Sequence, residues 1–148
     1  MGNMKQMLSE GGFSSYLYND HPNYAPVTIN GITAKVVYKI DDPTKAQAGL
    51  PTYANKSDMY FKQGIEGNII QAKLYDGRQQ KLDFDWGHRH KNDDGTIFPK
   101  GVVHVQEYGK IEGGRMPRFS GNARLMTDAE IKKYGPLILH YNPNAKFR

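Results

Sequence analysis

An Asn-Gly pair at residues 30 and 31 interrupts a β-branched run, VTINGITAKVVYKI (27–40). Both central positions of a two-residue type I′ turn need positive φ, which Asn and Gly adopt at the least cost. The pair therefore specifies a β-hairpin and fixes the register of its two strands. A second turn signal, Asp76-Gly77, separates NIIQAKLY from RQQKLDFDW, and in the second arm Leu82, Phe84 and Trp86 alternate with Asp83 and Asp85. That period of two sends the apolar side chains to a core and both carboxylates to the other face. A short strand precedes this hairpin at the start of 59–86, and strand patterns recur in VVHVQEY (102–108) and in the apolar stretch PLILHY near the C-terminus.

Helical signals are few. In TDAEIKKYG (127–135), Thr127 takes the N-cap, Glu130 the capping-box position, and Gly135 follows the end. The loop 41–58 has room for another short helix from Pro43. The expected fold class is α+β: a small, twisted, mostly antiparallel sheet of about five or six strands with one or two short flanking helices. Residues 1–26, polar and interrupted by Gly11-Gly12, read as an N-terminal arm or linker, and 27–148 as a single domain. Sixteen glycines, eight prolines and ten tyrosines agree with a loop-rich β protein with a thin core.

Composition excludes several chemistries. The chain has no cysteine, so disulfides, thiolate zinc sites and cysteine nucleophiles are ruled out. No run approaches the roughly 18 apolar residues of a membrane-spanning helix. The opening MGNMKQMLSEGGFSSY lacks the apolar region of a signal peptide and the myristoylation pattern. No membrane partner and no signal peptide of its own are expected. Of the +5 net charge, all falls within residues 100–148, which hold nine Lys/Arg against four Asp/Glu. A basic third of this kind suits either a polyanionic partner or a solvated surface.

The chemistry-bearing residues gather in FDWGHRHKNDDGTIFPKGVVHVQEY (84–108), which holds three of the five histidines. Three readings fit. In the first, His88 and His90, two apart on an extended segment, point the same way, and with His104 and Asp85 they form a ligand set for a divalent metal. In the second, which is the expected one, no cofactor is needed. His88 or His90 serves as general base, His104 as general acid and Glu107 as a reserve base, while Asp85 orients an imidazole. Arg89, Lys91, Lys100, Arg115 and Arg118 then bind phosphate, which suits RNA cleavage by its own 2′-hydroxyl. In the third, these are polar residues of a solvated turn region, with KNDDG as a hairpin tip. Elsewhere, His21 reads as structural and His140, alternating with apolar neighbours, as packed. Tyr53, Tyr60 and Tyr75 read as core residues or as platforms for stacking bases.

The stretch from Gly49 to about Gly135 resembles C-terminal toxin domains of bacterial polymorphic toxins and C-terminal extensions of phage minor-head proteins. The resemblance is carried by GLPTYANKSDMYFKQGIEGNIIQAKLYDGRQQKLDFDWGHRH, followed by GVVHVQEY and LMTDAEIKKYG. It departs from that pattern at Gln106, where a second histidine of an H-x-H pair is expected, and in a tighter Asp76-Gly77 turn. The resemblance implies a nuclease acting on RNA or, with a metal, on DNA. It also implies a cognate immunity protein as partner and the cytoplasm of a target or host cell as the place of action. A small-nuclease architecture of the barnase type is compatible with the expected elements. The alternative is a non-catalytic phage or mobile-element protein, a structural part or an inhibitor that binds a host protein or a nucleotide ligand.

Overall fold

The Asn30-Gly31 turn forms as its sequence requires, with φ of 54° and 75°. In the computed structural model, which describes residues 4–8, 15–39, 50–51, 53–54, 57–109 and 121–148, the elements run as follows. β1 (Met4–Leu8), β2 (Ser15–Asp20), β3 (Val27–Ile29), β4 (Ile32–Lys39) and β5 (Met59–Gln63) come first. β6 (Ile69–Asp76), β7 (Gln79–Asp85), β8 (His90–Lys91), β9 (Ile97–Phe98), β10 (His104–Glu107), β11 (Arg124–Leu125) and α1 (Asp128–Tyr141) follow. Nine of the strands form one sheet in the order β1-β2-β4-β5-β6-β7-β10-β11, with β3 hydrogen-bonded to β4. Every pair is antiparallel except β4 with β5. β8 and β9 make a separate small hairpin.

The α+β class and the mostly antiparallel sheet hold, but the sheet is larger than expected. Residues 1–26, expected as an arm, contribute β1 and β2. Residues 88–101, expected as one loop, contain β8 and β9. The backbone pairing across strands supplies what short polar segments lack in hydrophobic pattern. The expected helix from Pro43 falls outside the described residues.

The second hairpin turns one residue later than its sequence suggests. Asp76 pairs with Gln79, so the turn residues are Gly77 and Arg78, with φ of 55° and 72°. The Arg78 carbonyl accepts a bond from the Ala54 amide at 2.8 Å, which helps hold a non-glycine residue in this uncommon region. Beyond it, Leu74 faces Leu82 but Tyr75 faces Gln80, leaving Lys81 as a bulge.

One face of the sheet carries the main core. Val36, Met59, Phe61, Ala72, Phe84 and Val105 pack there with Leu137, Ile138 and Tyr141 of α1. The other face is covered in part by a smaller cluster of Tyr18, Val37, Leu50, Ala54, Tyr60 and Tyr75. This second layer encloses polar groups as well: Lys35, Lys73, Gln80 and Asp83 are all buried. Asp83 therefore does lie opposite Phe84, as alternation predicts, yet it is out of solvent. Its Oδ1 accepts from Gln71 Nε2 at 2.7 Å.

The capping box forms: Glu130 N donates to Thr127 Oγ1, and Thr127 N donates to the Glu130 carboxylate. The helix then runs through Gly135 and Pro136 to Tyr141, so the segment read as a closing strand is helical. His140, expected to pack, is exposed on this helix. Among the described residues no helix is long and apolar enough to cross a membrane.

Candidate metal centre

Asp85 at the end of β7 and His104 at the start of β10 are cross-strand partners. Both side chains stand on the sheet face opposite α1. Directly after Trp86 the chain passes against Ile70: a Cβ on Gly87 would lie 2.8 Å from the Ile70 Cβ, so this close approach needs glycine. The Gly87 amide donates to Asp85 Oδ1 at 2.9 Å, folding the chain back over the carboxylate. His88 then stands with Nδ1 at 3.2 Å from the same oxygen.

The β8–β9 hairpin closes over His104. Its ladder pairs His90 with Phe98, and its turn is held by Asn92 N to Thr96 O at 2.8 Å. The His90 and Phe98 rings both stack on His104, at centroid distances of 5.0 and 5.5 Å, and His88 meets it edge-on at 5.6 Å. His104 is buried at 2% exposure, His90 is half-buried and His88 is exposed. The three imidazoles thus form a graded cluster from core to surface.

One ring nitrogen from each of His88, His90 and His104 lies within 4.8 Å of the others. Nitrogens bound to one tetrahedral ion at about 2.1 Å sit about 3.4 Å apart, so small side-chain rotations bring these three to a shared centre. Each ring also has a nitrogen against an oxygen: Asp85 Oδ1 for His88, Asn92 Oδ1 at 3.0 Å for His90, and the Val102 carbonyl at 3.3 Å for His104. These oxygens accept, so the facing nitrogen carries the proton and the other keeps its lone pair. This pairing of a free nitrogen with an anchored one is what a histidine ligand requires. Burial pulls the His104 pKa below its ordinary value, against the opposing pull of the Val102 carbonyl and Asp85. The shift favours the neutral imidazole, the form that coordinates.

The remaining expected site residues divide. Asp85, read both as ligand and as orienting group, has its Oδ1 engaged by Gly87 and His88, so its place is behind His88. Arg89 and Lys91 alternate with the histidines and are exposed beside them. Lys100 is elsewhere: its Nζ lies 3.4 Å from Glu66, at a cavity shared with Ile65, Ile70 and Trp86. Glu107 lies on the β10 face opposite His104, 3.6 Å from Arg124, which itself grips Glu130 at 2.7 and 3.0 Å. It is not brought to the cluster. Arg115 and Arg118 lie outside the described residues. Sequence reading missed Asn92, Phe98 and the Val102 carbonyl. The alternation His88, His90, Asn92 was the signal available for the first.

Tyr60 and Tyr75 are buried against each other with centroids 5.2 Å apart, as core residues. His21 is buried and held by Gln63 at 3.0 Å.

Compared with known proteins, the chain matches no family model, and no curated protein or solved structure is significantly similar to it.

Proposed function

We propose that His88, His90 and His104 hold one divalent transition-metal ion, of the zinc class, and that the protein is a hydrolase of nucleic-acid phosphodiesters, RNA first. The observation that carries this reading is that one nitrogen from each of the three imidazoles lies within 4.8 Å of the others, while each ring also has a nitrogen tied to an oxygen acceptor. Three neutral nitrogen ligands without a thiolate suit zinc, and three protein ligands leave a coordination position for water or substrate. When bound, such an ion polarises a phosphoryl oxygen and lowers the pKa of its water.

The chain's own residues supply the rest. Asp85 fixes the His88 ring through Nδ1. The sheet and Phe98 keep His104 out of solvent. Arg89 and Lys91 place positive charge beside the exposed His88, where a phosphate would approach. The burial of His104 favours a ligand's role over that of a general acid, because a proton donor must touch its substrate.

The test is a nuclease assay on single-stranded RNA and DNA with purified protein. Cleavage is expected with added Zn²⁺, its loss with a chelator, and a fall of at least about 100-fold for His88→Gln, whose side chain is exposed enough to spare the fold. Cleavage that survives the chelator would return the metal-free acid–base route. Absence of any cleavage by the metal-loaded chain would refute the hydrolase reading.

A further inference from the structure

We propose that Asn92 is the positioning residue of this centre: it dictates which nitrogen His90 offers to the metal. The inference rests on the metal reading above.

Asn92 is buried at 6% exposure in a hairpin whose other turn residues are solvated. Its side chain forms a two-way clasp on the backbone of Ala123, with Nδ2 donating to the Ala123 carbonyl at 2.8 Å and Oδ1 accepting from the Ala123 amide at 3.0 Å. A carbonyl only accepts and an amide N–H only donates, so this clasp admits a single orientation of the Asn92 amide. The oxygen that faces His90 is therefore fixed as an acceptor. His90 must place its proton on Nε2, and its Nδ1 keeps the lone pair.

The other two rings are oriented the opposite way. His88 faces Asp85 with Nδ1 and His104 faces the Val102 carbonyl with Nδ1. Both keep the lone pair on Nε2. The centre is thus assigned two Nε2 ligands and one Nδ1 ligand, with the odd one set by Asn92. His90 sits on the hairpin that lies over His104, with its ring stacked on the His104 ring at 5.0 Å. Ala123 immediately precedes β11, which pairs with β10 at His104. Asn92 accordingly ties the hairpin carrying His90 to the strand beside His104, holding two ligands in register.

Two measurements test this. Long-range proton–nitrogen NMR of the metal-free wild-type chain, near pH 8, should show His90 protonated at Nε2 and both His88 and His104 protonated at Nδ1. A His90 ring protonated mainly at Nδ1 would overturn the proposal, whether or not metal binds. Zn²⁺ affinity is then measured by competition with a chromophoric chelator. Asn92→Ala should bind about 10- to 100-fold more weakly than wild type. Asn92→Asp, which loses the donor to Ala123 but keeps an acceptor for His90, should stay within a few-fold. Equal affinity of Asn92→Ala and wild type would also overturn it. Failure of the wild type to bind Zn²⁺ would instead defeat the metal reading, while the NMR result still decides the role of Asn92.

Discussion

Asp83 is paired across the ladder with Lys73, and both are buried on the sheet face away from α1. Burial pushes the Asp83 carboxyl up to about 6, although the Gln71 bond and Lys73 oppose it. The folded chain therefore holds this proton more tightly than the unfolded chain does. The contribution of Asp83 to stability is fullest below the unfolded value of 3.8, falls as pH rises from there to about 6, and then levels. Asp83→Asn removes the charge and keeps an acceptor for Gln71. Its stability relative to wild type, from urea unfolding, should rise from near zero at pH 4 to about 1–3 kcal/mol at pH 7. A pH-independent difference would mean that Asp83 is solvated. Lys73 acts at the other end of the scale. Burial lowers it to about 8, so its charging penalty is relieved as pH rises from 8 toward its ordinary value of 10.5.

Among the elements, α1 departs furthest from its sequence signals, because Pro136 lies inside it. Proline lacks the N–H that would bond the Lys132 carbonyl, and an interior proline costs about 3 kcal/mol. The orphaned acceptor is met from outside the helix. Asn30 Nδ2 donates to the Lys132 carbonyl at 3.2 Å and to the Lys133 carbonyl at 3.3 Å. Asn30 thus serves twice, through its positive φ in the β3–β4 turn and through its amide on the helix. Burial of Leu137, Ile138 and Tyr141 supplies the stabilisation that carries the helix onward, on the order of 1.5–3 kcal/mol for each fully buried large apolar side chain. Asn30→Gly keeps the turn and loses the bonds, so it should cost about 1 kcal/mol. The cost should shrink when combined with Pro136→Ala, which restores a helical donor to the Lys132 carbonyl. A double-mutant cycle by chemical denaturation measures that coupling, and strict additivity would exclude it.

For the whole molecule, a metal shared by His88, His90 and His104 would join the β8–β9 hairpin to strands β7 and β10 of the sheet. An ion that binds only the folded chain stabilises it by about 2.7 kcal/mol at 100 times its Kd, a rise in Tm on the order of 5–10 °C. Calorimetry should show this rise with Zn²⁺ and its loss in His88→Gln; an unchanged Tm would show that the cluster holds no ion in solution. The sequence determined the local features on its own. Asn30-Gly31 set its turn, the alternation Leu82, Phe84, Trp86 set the buried face of β7, and Thr127 with Glu130 set the start of α1. It also pointed to His88, His90 and His104, since an i, i+2 pair on extended backbone shares a side. These signals depend on φ/ψ preferences and on neighbours close in the chain. Only the tertiary structure decided that Asp83 is buried, that Glu107 and Lys100 stand away from the histidines, that α1 passes Pro136, and that Asn92 grips Ala123. Each of those depends on a partner far along the chain. Burial and hydrogen bonding across such distances are properties of the packed sheet, which no local pattern encodes.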